Sequence, residues 1–175
     1  LSIYKRQWLG SWGYLDFHAN AQAQWNKVPF QMLIMPPINL SYFEQEETVS
    51  MMKDWEFLND RQVFWALSWD MNGKLLNRIP LIKKLKWREW LAIKGVYGHL
   101  TDKNNPFLEK NKNDDTIFLF PKGSDVMGNT PYWECVVGVH NIFKFFAVEY
   151  VRRLTYINRP GIHKGGVRFN FMMSF

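Results

Sequence analysis

The chain has 175 residues, enough for one domain with a sizeable core; 47% are hydrophobic, 17% are aromatic, and the formal net charge is +6 at pH 7. Mean hydropathy is nonetheless negative, so apolar and polar residues are interleaved, and no run approaches the roughly 18 apolar residues that a membrane-crossing helix needs. The single cysteine, Cys135, excludes an internal disulfide framework.

In chain order, residues 1–9 read as extended, and "GSWG" at 10–13 is a short connection. The stretch Tyr14 to Trp25 is the clearest strand. Leu15, Phe17, Ala19, Ala21, Ala23 and Trp25 alternate without a break with Asp16, His18, Asn20, Gln22 and Gln24. That is the period of a strand with two different faces; a helix would scatter both sets around its circumference. A long connection, 26–60, carries Pro29, Pro36 and Pro37. From Arg61 to Met71 the residues Val63, Trp65, Leu67, Trp69 and Met71 share one face, opposite Gln62, Ala66, Ser68 and Asp70, with Phe64 the exception. An intermediate connection, 72–86, leads to an extended segment at 87–99.

The connection 100–131 contains "TDKNNP" and "KNKNDD", together with a possible extra strand at Thr116–Phe120. Trp133, Cys135, Val137 and Val139 then alternate with Glu134, Val136, Gly138 and His140. The short turn "NIFKF" at 141–145 leads to an extended segment at 146–156, with Arg152 on its otherwise apolar face. The loop 157–166 precedes a closing strand at 166–175 that sets Val167, Phe169, Phe171, Met173 and Phe175 on one side.

Seven strands are therefore expected, with short or intermediate connections on one rim and long loops on the other. This is the asymmetry of a bacterial outer-membrane barrel. Strands that face lipid on one side and a wet lumen on the other must alternate over about 9–11 residues, and their backbone groups must all be paired in a closed barrel. The expected fold is all-β: an antiparallel transmembrane β-barrel in a single domain without internal boundary. Single-chain bacterial barrels usually have an even strand number, so seven strands are read as the C-terminal part of a larger barrel.

On that topology the polar faces supply lumen residues: Asp16, His18, Asn20, Gln22 and Gln24. Trp8, Trp12, Trp25, Trp87, Trp133 and Tyr156 fall near strand ends, where an aromatic girdle meets the headgroups. The stretch Asn77 to Trp90 carries Arg78, Lys83, Lys84, Lys86 and Arg88 among apolar residues. It reads as an interfacial segment that meets lipid phosphates, as a nucleic-acid patch, or as a plain solvated basic turn. Asp16 with His18, and Glu134 with His140, share strand faces and could in principle form acid–base pairs, but lumen residues bonded to neighbours fit as well. The four histidines lack metal-ligand spacing, and no phosphate loop or nucleophile elbow is present. No catalytic residue, cofactor or metal is expected.

Several blocks together carry a resemblance: "WGYLDF" (12–17), "KVPFQMLIMPPINLSYF" (27–43), "FLNDRQVFWAL" (57–67), "NRIPLIKKLKWRE" (77–89), "YGHLTDKNNP" (97–106), the run from Pro131 to Gly161, and "GVRFNF" (166–171). The chain resembles the C-terminal barrel region of an uncharacterised outer-membrane family of the Bacteroidota whose members carry a carboxypeptidase-regulatory-like domain ahead of the barrel. That family is distantly similar to the sixteen-stranded surface-antigen superfamily of barrel-assembly and translocation pores. The resemblance implies a barrel of that size and a long loop, 26–60, folding back into the lumen. The superfamily's Arg-Gly loop tip has no counterpart between residues 26 and 60. A terminal aromatic strand, with Phe169, Phe171, Met173 and Phe175, resembles the signal read by the barrel-assembly machinery.

The expected function is a non-catalytic transport, assembly or scaffold component of the Gram-negative outer membrane. Expected partners are outer-membrane lipids, the barrel-assembly machinery during insertion, and other outer-membrane proteins or lipoproteins in a complex, with no nucleic acid. The alternative is a soluble β-barrel or sandwich that binds an anionic ligand such as nucleic acid or glycan. Its apolar strand faces would point inward.

Overall fold

Alternation makes the strands, and the turn residues between them fix a simple meander. In a computed structural model describing residues 1–43 and 45–171, seven strands form one antiparallel sheet in the order β1-β2-β3-β4-β5-β6-β7. They are β1 Ser2–Trp8, β2 Tyr14–Ala23, β3 Arg61–Asp70, β4 Arg88–His99, β5 Tyr132–Ile142, β6 Phe146–Arg153 and β7 Gly165–Phe171. All seven expected strands form, most with bounds shifted by a residue or two at one end or both. Thr116–Phe120 stays irregular. Met173 and Phe175 of the closing strand lie outside the described residues.

The tight turn between β1 and β2 depends on Gly13, which has φ of 79°. A Cβ there would sit 1.9 Å from the carbonyl oxygen of Asp70, so no side chain fits. In the connection from β3 to β4, Pro80 starts a short helix, α1 Pro80–Leu85. These turns and 143–145 occupy one rim. The long connections 24–60, 100–131 and 154–164 occupy the other. The prolines of 26–60 keep that segment out of the sheet.

The two faces of the sheet have different fates. Segment 28–60 folds across one face and closes a core there: Val49, Met52 and Phe57 of the loop pack with Phe64, Ala66, Val96 and Tyr132 of the strands. Met51 packs with Trp90, Ala92, Val136 and Val151. The loop also reaches the last strand, where Phe169 N donates to Tyr42 O at 2.9 Å. Gly98 permits this close cover, since a Cβ on it would lie 2.2 Å from the side chain of Asn59.

The other face is left open. Leu15, Trp69, Leu91, Val137, Tyr150 and Val167 are successive partners across six strands, so one apolar row crosses nearly the whole sheet on that side. Val137 is 54% exposed and Phe171 60%, whereas Val136 on the covered face is 1% exposed.

Candidate functional site: the charged face beneath the loop

Even-numbered positions of the central strands carry the polar set, and register lines up their charges. Lys94 of β4 is the direct partner of Glu134 of β5, and Glu134 is the direct partner of Arg153 of β6. All three are essentially buried. Ion removal from water is costly and is offset only by excellent pairing, and the loop completes the pairing here. Glu56, also buried, takes Arg153 in a two-pronged contact: Nη2 to Oε1 at 2.6 Å and Nη1 to Oε2 at 2.9 Å. Glu134 accepts from the backbone N–H groups of Ser50 and Met51, at 2.9 and 3.1 Å, and from the hydroxyl of Tyr132 at 2.9 Å. The ammonium of Lys94 donates to the carbonyls of Gln45 and Thr48 at 3.0 and 2.9 Å. The guanidinium of Arg153 also lies over the Tyr132 ring, 4.9 Å from its centroid.

Cation, anion, cation and anion thus alternate along one line, from Lys94 through Glu134 and Arg153 to Glu56. This neutral row fastens the loop to the sheet. Charges of one sign would repel each other at this depth; alternation lets each neighbour supply what water would have supplied.

The five polar residues of β2 expected to face the lumen divide between several contacts. Asp16 is held by Arg6 through two bonds of 2.7 Å and by the Tyr4 hydroxyl at 3.0 Å. His18 lies 3.1 Å from Ser2 Oγ and 3.9 Å from Glu47. Asn20 and Gln22 line a cavity of about 140 Å³ with His18, Met35, Glu47 and Gln62. Gln24 lies just past the strand, where its backbone N donates to Asp60 O at 2.6 Å. On the covered face toward the short-turn rim, His140 Nε2 lies 3.0 Å from Asp70 Oδ2.

The acid–base pairs weighed from the sequence are engaged elsewhere. Asp16 serves Arg6 while His18 serves Ser2. Glu134 and His140 are six residues apart along one strand, roughly 20 Å. Among the described residues no group of three or more His, Cys, Asp or Glu could hold a metal ion.

Glu46, an exposed loop residue, edges the cleft that Asp16, His18 and Lys94 line. Desolvation in the cleft, and next the charge of Asp16, push its carboxyl above the ordinary carboxylate range.

The aromatic residues assigned to a girdle separate. Trp8 and Trp12 are exposed at the short-turn rim, and Trp87 is half-buried beside them. Trp25 is exposed at the opposite rim under the guanidinium of Arg61, and Trp133 stands on the open face with its ring 5.0 Å from Trp65. Tyr156 departs from the expectation. It turns under the long loops, its ring 5.0 Å from Phe57, and burial raises its pKa above the ordinary tyrosine range.

Sequence reasoning missed Lys94, Arg153 and Glu56. For Lys94 the signal was an ionisable residue on the same strand face as Trp90, Ala92 and Val96; Arg153 closes a strand and Glu56 lies on the loop, where no periodicity marks it. Without the register, nothing indicated that they would meet. Compared with known proteins, the chain matches no family model, no curated protein and no solved structure.

Proposed function

We propose that this chain is part of a β-barrel in the outer membrane of a Gram-negative bacterium, serving as a non-catalytic transport, assembly or scaffold component. One observation carries the proposal: the apolar face of the sheet is open while the polar face is covered. In water, burying apolar surface drives folding and would turn that row inward. Against hydrocarbon tails the same row needs no cover, and the charged face needs an interior. The strands β2 to β5 are 10 to 12 residues long, close to the length of a tilted bilayer-spanning strand.

Within the sheet, β1 pairs with β2 alone, and β7 pairs with β6 while its outer edge meets the loop only at Phe169, through a bridge to Phe43. Unpaired strand edges are not tolerated in hydrocarbon. The proposal therefore calls for further strands on both sides, as in a larger barrel. Segment 26–60 is then the element that narrows the lumen, held there by the Lys94–Glu134–Arg153–Glu56 row.

The test is made on native membranes. The protein should fractionate with the outer membrane and change gel mobility on heating. Cys135, half-buried on the open face beside Leu67, Ile93 and Val137, should resist a charged, membrane-impermeant thiol reagent until detergent is added. A water-soluble protein with no heat-dependent mobility would overturn the proposal and favour the soluble anion-binding alternative.

A further inference from the structure

The charge of this chain is not spread over it. The short-rim connections 9–13, 71–87 and 143–145 contain six Lys and Arg and no Asp or Glu, while the rest of the chain has sixteen of each. The whole net charge of +6 therefore stands on one rim. The opposite connections, 24–60, 100–131 and 154–164, hold eight Lys and Arg against eleven Asp and Glu.

The cationic rim is one built platform rather than three loose turns. Lys74 Nζ donates to Ser11 Oγ at 3.0 Å and lies over the Trp12 ring, 5.2 Å from its centroid. Trp69 Nε1 donates to Trp12 O at 2.9 Å, and Asn141 Nδ2 donates to Lys86 O at 2.6 Å. The acidic residues that flank the rim are turned in: Glu89 accepts from Leu75 N at 2.6 Å, and Asp70 is buried against His140. Lys83, Lys84 and Lys86 are exposed, with no ion-pair partner among the described residues. Large apolar side chains stand between the cations, with Leu81 77% and Phe143 80% exposed.

We infer that this rim docks on anionic phospholipid headgroups, the exposed Leu81 and Phe143 entering the leaflet while Lys83, Lys84 and Lys86 meet the phosphates. The inference rests on the barrel proposal and deepens it by naming the rim and the lipid chemistry. Charge complementarity selects an anionic partner. The apolar side chains select a lipid surface over a nucleic acid, since they stand at the rim where the open apolar face ends and would have nothing to enter on a phosphodiester backbone.

The experiment uses the protein purified from its membrane in non-ionic detergent. Phospholipids with brominated acyl chains are titrated in, and tryptophan quenching is read. Phosphatidylglycerol should quench at a concentration at least about tenfold lower than phosphatidylcholine at low salt, with the preference shrinking as salt rises. The triple variant K83Q/K84Q/K86Q should lose most of the preference and keep the heat-dependent mobility of a folded barrel. The opposite-rim variant K103Q/K110Q/K112Q should keep the preference. Equal quenching by the two lipids, or equal loss in both triple variants, would overturn the inference. So would a DNA oligonucleotide that binds as tightly as phosphatidylglycerol through the same lysines. Failure of the barrel proposal looks different: neither lipid then quenches at all.

Discussion

On β3, Phe64, Ala66 and Ser68 lie beneath the loop while Val63 and Leu67 lie open, although the two sets alternate along one strand. The covered set is the more polar one when it is followed across the sheet, and it includes Lys94, Glu134, Glu149 and Arg153. The open set is the more apolar. A water-soluble sheet does the reverse, because the hydrophobic effect rewards apolar cover and desolvated charge is expensive. Under the proposal the open side meets hydrocarbon rather than water, while the covered side is held both by its apolar clusters and by the pairing of its charges.

The largest effect should come from unbalancing the buried row. Arg153→Met takes from buried Glu56 its two-pronged partner, leaving Arg159 Nη1 at 3.7 Å as its remaining cation, and should cost about 3 kcal/mol, read as a lower denaturant midpoint of the refolded protein in detergent. Replacing both, R153M/E56L, should recover much of that loss, since an apolar pair of similar volume needs no partner. A double variant no better than the single would mean that the remaining contacts of Arg153, to Thr155 O and Met51 O, carry the latch instead.

The open face is tested next. Leu67→Arg places a charge in mid-strand on the apolar side and should cost about 2–4 kcal/mol in a bilayer. Stability measured in lipid vesicles against urea checks this, and a neutral result would place Leu67 in water.

A smaller effect is expected at the contact between the faces and the loop. Gly98→Ala drives a methyl into Asn59 and should cost about 1–3 kcal/mol. Protease cleavage within 26–60 should speed up in that variant if the cover has loosened.

Glu46 should give the smallest effect, and one that depends on pH. Its folded pKa lies above the reference 4.5, so the folded state holds the proton more tightly than the unfolded one. Stability then falls as pH rises from about 4.5 through the raised folded value, and it is greater below that window. Glu46→Gln should therefore stabilise the loop above the window and do nothing in acid. Comparing the pH dependence of unfolding for the two proteins decides this.

Four of the strands were legible because alternation is local: "YLDFHANAQAQW" states its two faces without help from any other segment, whereas β1, β4 and β6 alternate less cleanly and read only as extended. Turn positions were legible for the same reason, through glycine, proline and runs of polar residues. The extra strand considered at Thr116–Phe120 failed because its apolar residues serve separate ends, with Ile117 buried under the long loops and Leu119 exposed. Tyr156 was misplaced for a related reason, since nearness to a strand end does not tell which way a loop carries a ring.

The strands, their two-sidedness and the concentration of cations between β3 and β4 are each written in neighbouring residues. That 26–60 covers the polar face and leaves the apolar one open follows from how the loop packs on the assembled sheet. Only the register brought Lys94, Glu134 and Arg153 into one row beneath Glu56, residues separated by as many as 97 positions in the chain. Pairing across that distance is fixed by strand order and by the cost of leaving any one of those charges buried alone, and neither is a property of a local stretch of sequence.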